Sequence, residues 1–204
     1  MKRLLISLLA AFAVGGLFAQ NIDLPAPQKT GGLPLMEALA KRATVRAMEA
    51  AELTPQQLAD LLWAAFGINR PDGRRTAPSA RNWQETDLYV LLKSGAYVYD
   101  ARDNRLNQVG AEDIRAAGGG PPAPAILIFV ADLAKLGSGD VEGKKNTANI
   151  DAGYVSQNVY LYCASAGLAT GFRGSADRPA LAAKLKLRAD QLIIGAQSVG
   201  HPKP

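Results

Sequence analysis

Ten residues, Arg75 to Gln84, force the chain to change conformation between a helix and a strand. Pro78 fixes its own φ and disfavours the α region at Ala77, so the chain enters the stretch extended. Ser79 can cap a following turn. Small residues at Ser79 and Ala80 leave the backbone uncrowded, so its N–H groups could reach a ligand. Asn82 and Gln84 each carry one acceptor and two donors, a set that suits the edge of a planar heterocycle. The alternative on local physics is a polar loop that leads into a strand.

Upstream, Thr54 to Phe66 predicts a helix, with Thr54 as N-cap, Pro55 in the first turn and Gly67 as C-cap. Leu58, Leu61, Leu62 and Ala65 mark its buried face, and Trp63 and Phe66 read as core. Leu33 to Lys41 predicts a shorter helix. After it, Arg42 and Arg46 bracket Thr44. Two guanidinium groups and a hydroxyl suit a phosphate and polyol; a solvated helix end is the competing reading.

Downstream, Leu88–Leu92 and Ala96–Tyr99 predict a hairpin around Lys93-Ser94-Gly95, with a short strand at Leu106–Val109. Glu112–Ala116 can hold one helical turn. The apolar run Ala125–Val130 predicts a strand buried on both faces. Leu136–Asn149, rich in glycine and charge, predicts a mobile loop with a helix starting near its end. Ile150–Thr170 predicts a long helix, apolar nearly all round and so buried in the domain centre or a subunit interface. Gly167–Gly174 reads as a crossing loop. Asp177 caps a further helix, and Gln191–Val199 is the last strand. Helices around a mostly antiparallel sheet, an α+β fold, follow from this order.

The first twenty residues differ from the rest. Lys2 and Arg3 precede the uncharged apolar run Leu4–Phe18, the pattern of a cleavable signal peptide cut near Ala19 or Gln20. It predicts a secreted or periplasmic protein. Residues 21–32, with Pro25, Pro27 and Gly31-Gly32, read as a linker ahead of one domain over 33–204. Loss of Lys2 and Arg3 takes the formal charge from +5 to +3, a scattered excess that does not argue for nucleic acid. Cys163 is the single cysteine and His201 the single histidine, so there is no intrachain disulfide and no multi-cysteine metal site. Histidine-based hydrolysis would have to run through His201.

Four stretches in order resemble the nitroreductase-like flavoproteins: RATVR from Arg42, RTAPSARNWQ from Arg75, YVSQNVYLYCASAGLATGFRG from Tyr154, and IIGAQSVGHPK from Ile193. The nearest branch includes the thiazoline and oxazoline dehydrogenases. The resemblance implies a homodimer with FMN at each subunit interface and the long helix in the dimer core. It implies Arg42, Ala43, Thr44 and Arg46 near the phosphate and ribityl chain, and Pro78, Ser79 and Ala80 along the isoalloxazine. Asn82 would bond the flavin from the same or the partner subunit. Arg173, Gly174 and Ser175 would border the ring edge, with Lys203 near the phosphate. Little of the family's basic C-terminal segment follows the last strand. The implied reaction is ping-pong hydride transfer through flavin N5, to or from a small aromatic, quinone-like or azoline-type substrate, with an unknown electron donor. A non-catalytic flavin-binding or dimeric scaffold is the alternative.

Overall fold

The computed structural model describes residues 20–204, so the expected leader lies outside the described residues except for Gln20. A seven-stranded sheet, antiparallel at every pairing, forms the centre. Its strands are β1 (Ile22–Asp23), β2 (Thr86–Leu92), β3 (Gly95–Asp100), β4 (Arg105–Gly110), β5 (Ala125–Asp132), β6 (Ala169–Arg173) and β7 (Gln191–Gly200), in the order β1-β4-β3-β2-β5-β7-β6. The helices are α1 (Leu35–Lys41), α2 (Pro55–Phe66), α3 (Val141–Ala166) and α4 (Arg178–Lys184).

Side-chain alternation divides the core into two layers. Leu88, Val90, Leu127 and Phe129 face α2 and α3. Tyr89, Leu91, Ile126, Ile128 and Val130 face Leu181 and Leu185 of the α4 region and Ile114 beside a 3₁₀ turn at Arg115–Gly118. β5 lies between β2 and β7, and all eight of its residues are buried. This explains its uninterrupted apolar run.

α2 follows its sequence signals. Thr54 Oγ1 accepts the Gln57 N–H at 3.1 Å, and Gln57 Oε1 accepts the Thr54 N–H at 2.9 Å. Such a capping box contributes about 1 kcal/mol. Leu58, Leu61, Leu62 and Ala65 are its buried stripe.

Three segments depart from expectation. Residues 136–149 are not a loop throughout: α3 begins at Val141, where Asp140 Oδ1 accepts the Gly143 N–H at 2.7 Å. The first turns of α3 are largely solvated and bury little beyond Ala148, so they carry no apolar period to detect. At the other end α3 stops at Gly167, whose φ of 68° is the left-handed helix end that glycine tolerates. The expected crossing loop then holds β6, a short polar-looking strand made by pairing with β7. Residues 21–32, expected as a linker, add β1 to the sheet edge and place Leu24 in the core. Asn104 ties this segment down through bonds to the Leu24 and Pro25 carbonyls.

The long helix is present, but burial within one chain follows one stripe: Ala148, Asp151, Ala152, Val155, Ser156, Val159 and Cys163. Ile150 and Tyr154 stand exposed on another face. Among the described residues no helix is long and apolar enough to cross a membrane, and no cluster of metal-ligating side chains occurs.

Candidate functional site

α1 ends at Lys41, and Arg42 closes it with an N–H bond to the Ala38 carbonyl. The chain then runs extended along β6. The Val45 N–H donates to the Thr170 carbonyl at 2.9 Å, and the Lys203 N–H donates to the Ala47 carbonyl at 3.1 Å. Gly171 permits this close passage: a Cβ there would lie 3.3 Å from Thr44 Cγ2 and 3.4 Å from Arg46 Cγ. Thr44 Oγ1 lies 3.1 Å from the hydroxyl of Tyr160 on α3. The Arg42 guanidinium sits 5.5 Å from the Tyr160 ring centre, within cation–π range.

Arg173 comes to the same place from β6. Its guanidinium donates to Ser198 Oγ at 2.7 Å and to the Gly118 carbonyl at 3.0 Å. Burial, and then the nearby charge of Arg46, lower its pKa. Among the described residues, Arg42, Arg46, Arg173 and Lys203 make no ion pair. Arg46 and Arg173, near enough for one charge to act on the other and without an ion-paired carboxylate among the described residues, suit an anionic ligand.

Behind them runs a buried polar chain. Ser156 Oγ donates to Gln197 Oε1 at 2.9 Å, Gln197 Nε2 donates to Thr170 Oγ1 at 3.0 Å, and Thr170 Oγ1 donates to the Ser198 carbonyl at 2.9 Å. It joins α3, β6 and β7 directly beneath the Thr170–Gly171 edge. The visible signal for it was Gln197-Ser198 inside an apolar strand. Tyr160, on a helix read as apolar, gave none. Cys163 is simply core, its thiol pushed up to about 12 by burial.

The Arg75–Gln84 stretch builds a second group. The Arg75 guanidinium stacks over Phe66 at 4.6 Å and donates to the Phe66 carbonyl and to Gln84 Oε1. Gln84 Nε2 donates to the Gly73 carbonyl and to Asn82 Oδ1. Gln84 is therefore a strut for the loop, not the ligand edge expected of it. Asn82 stays exposed, with its Oδ1 held by Gln84. Ser79 Oγ accepts the Gln84 N–H at 3.0 Å and keeps its own proton to donate. The Ala80 N–H, expected to face a ligand, points inward to Asp151 Oδ2 at 2.8 Å. Arg81, Asn82 and Gln84 all have φ between 49° and 58°, an uncommon concentration of left-handed residues without glycine.

The expected residues thus fall into two groups on α3. Arg42, Ala43, Thr44, Arg46 and Arg173 gather at its Tyr160 end. Pro78, Ser79, Ala80 and Asn82 gather at Asp151. Nine residues of helix, roughly 14 Å, separate these anchors. Gly174 and Ser175 are exposed beyond β6, the Ser175 carbonyl lying against Gly119. Lys203 lines an adjoining cavity of about 820 Å³ with Met48, Glu49, Lys93, Arg115 and Ile126.

A profile of the nitroreductase family matches residues 39–201. The chain belongs to the nitroreductase family. A crystal structure of a nitroreductase from Ralstonia eutropha JMP134 is 37% identical, with a TM-score of 0.87 over 98% of this chain and 97% of that one. A Methanocaldococcus jannaschii protein named as a nitroreductase is 29% identical over 152 residues, 68% of this chain and 77% of that protein. The NADPH:FMN oxidoreductase of Vibrio harveyi, solved with NAD+, shares the fold alone, at 17% identity and a TM-score of 0.62 over 83% of this chain and 69% of that one. This nitroreductase-family chain is an oxidoreductase.

Proposed function

We propose that the chain binds a flavin, that this flavin is FMN, and that it is held between two copies of the chain. The observation that carries this reading is the set of cations around Gly171. Arg42, Arg46 and Arg173 lack ion-pair partners among the described residues, and the charge of Arg46 already acts on Arg173. A phosphate there would relieve that repulsion through charge-assisted bonds. Convergence beside one glycine matches a terminal phosphate, which favours FMN over FAD.

Thr44 and the Ala43 backbone would follow the ribityl chain, and Lys203 would approach from the adjoining cavity, which Glu49, Glu52 and Asp113 also line. Pro78, Ser79, Ala80 and Asn82 would line the ring, with the Ser79 hydroxyl proton as a donor. Arg173, Gly174 and Ser175 would border its edge. When bound, FMN supplies reversible hydride transfer, which lets donor and acceptor be served in turn. The chain's part is to hold the ring still and dry and to present oriented dipoles.

The separation of the two groups along α3 supports the homodimer reading. Exposed apolar side chains lie near both: Leu35 and Met36 on α1, 64% and 75% exposed, and Ile150 and Tyr154 on α3. An apolar surface of this kind suits burial against a second copy. It would bring the Ser79–Asn82 turn of one copy toward the Arg42–Arg46 segment of the other. The acceptor class is nitroaromatic or quinone-like, whereas an azoline-type substrate would give its hydride to the flavin, and the expected leader supports work outside the cytoplasm.

The test is titration of the purified protein with FMN and with FAD, followed by anaerobic NADH or NADPH. FMN that binds and bleaches supports the reading. FMN that binds but stays oxidised with every donor and substrate points to a non-catalytic flavin carrier. Absence of FMN binding overturns it.

A further inference from the structure

β2 is preceded by a buried acid. Glu85 is fully buried, and Asp151, facing it from α3, is 4% exposed. Neither makes an ion pair among the described residues. Both carboxyl oxygens of Glu85, and the neighbouring Thr86 hydroxyl, are buried without a hydrogen-bond partner. Asp151 has one strong partner, the Ala80 N–H at 2.8 Å. The surroundings are apolar: Thr86 pairs with Ala131 on β5, and Ala148 lies one turn before Asp151.

Two adjacent carboxyl groups buried without a cation resist ionising together. The Ala80 N–H meets Asp151, and the proton belongs on Glu85, whose oxygens meet no donor. We propose that Glu85 and Asp151 form a single-proton carboxyl pair that positions the Ser79–Ala80 peptide and, through it, the left-handed turn at Arg81–Asn82. The peptide is gripped at both ends, since the Ser79 carbonyl accepts the Asn82 N–H at 3.0 Å while Asp151 holds the Ala80 N–H. Three left-handed residues without glycine need such over-determination to persist. Glu85 and Asp151 are positioning residues, because neither side chain leaves the interior.

Titration then acts on the turn. Burial, followed by the charge of Asp151, lifts the Glu85 carboxyl to about 7. Among the described residues Asp151 is the charged side chain acting on it, with Thr86 beside it. Ionising Glu85 sets two negative charges side by side and pushes Asp151 away from Ala80. The functional consequence rests on the reading that this turn faces the bound flavin.

Two readouts test the pair in the intact protein. The first is the Ala80 amide proton resonance of the flavin-free protein between pH 5 and 9, in wild type, Glu85→Gln and Asp151→Asn. Wild type is expected to show a downfield amide that titrates with a midpoint near 7. Glu85→Gln keeps the downfield position and loses the titration, and Asp151→Asn loses the downfield position. The second is FMN affinity at pH 6 and pH 8, taken as the ratio of Glu85→Gln to wild type so that the phosphate's own titration cancels. That ratio is expected to rise several-fold at pH 8. A wild-type Ala80 amide that does not move between pH 5 and 9, or one that titrates equally in Glu85→Gln, overturns the pair. An amide that titrates through Glu85 in a protein without FMN affinity upholds the pair and sinks the flavin reading instead. A titrating amide with an unchanged affinity ratio overturns the link between turn and flavin.

Discussion

The Tyr160 hydroxyl accepts the Phe172 N–H at 2.9 Å and lies 3.1 Å from Thr44 Oγ1. One phenol thus fixes the segment after α1 against both α3 and β6. Tyr160→Phe removes both bonds and leaves the ring in place. The expected loss is about 1 kcal/mol, or roughly five-fold in FMN affinity by fluorescence titration. An unchanged affinity would separate Thr44 from the cofactor.

Arg42→Ala tests the phosphate reading. Arg42 is exposed and makes no ion pair among the described residues, so the flavin-free fold has little to lose. A charge-assisted bond to phosphate is worth about 1.5–3 kcal/mol, which corresponds to a loss of roughly 10- to 150-fold in FMN affinity. Thermal denaturation without flavin should match wild type. A fall in melting temperature with affinity intact would return Arg42 to a helix-end role.

Gln197→Leu tests the buried polar chain. It keeps the bulk of a fully buried side chain, strands Ser156 Oγ and leaves Thr170 Oγ1 only its bond to the Ser198 carbonyl. Leaving buried polar atoms unpaired costs about 2 kcal/mol, a fall of roughly 4–8 °C for a chain of this size. Differential scanning calorimetry reads it directly.

Glu85 makes stability depend on pH with a definite sign. Its carboxyl titrates at an ordinary 4.5 when unfolded and at about 7 when folded. Between those values the folded chain holds a proton that the unfolded chain has lost. Stability is therefore expected to fall as pH rises from about 4.5 to about 7, by up to about 1.4 kcal/mol per unit, and to level off above. Urea midpoints from pH 5 to 8 should show the slope in wild type and a weaker one in Glu85→Gln.

Ile150→Lys tests the homodimer. Ile150 is 51% exposed, so the substitution leaves the fold of a single chain intact. A charge placed in an apolar contact disfavours association. Sedimentation should shift toward monomer, with FMN affinity falling alongside. A dimer that survives would move the interface away from this face of α3.

Local signals made much of this fold legible from the chain. Thr54 with Gln57 and Pro55 mark the start of α2, and the apolar run Leu88–Leu92 carries β2. The uninterrupted run before Asp132 reflects β5 at the sheet centre. Four spaced stretches indicated the family. The start of α3 was not legible, because a solvated helix turn has no apolar period. Nor was β6, because a five-residue strand containing a glycine exists only through its partner.

By itself the sequence determined which residues could carry the chemistry: guanidinium groups around Thr44, and small and amide side chains after Pro78. Their grouping and orientation were decided by the tertiary structure alone. It placed Tyr160 under Thr44, turned the Ala80 N–H inward to Asp151, made Gln84 a strut and buried Glu85 without a cation. The physical reason is that periodicity and capping depend on neighbours a few positions away. A hydrogen bond between residues 71 or 116 positions apart depends on how the sheet and α3 pack, and no local pattern records that.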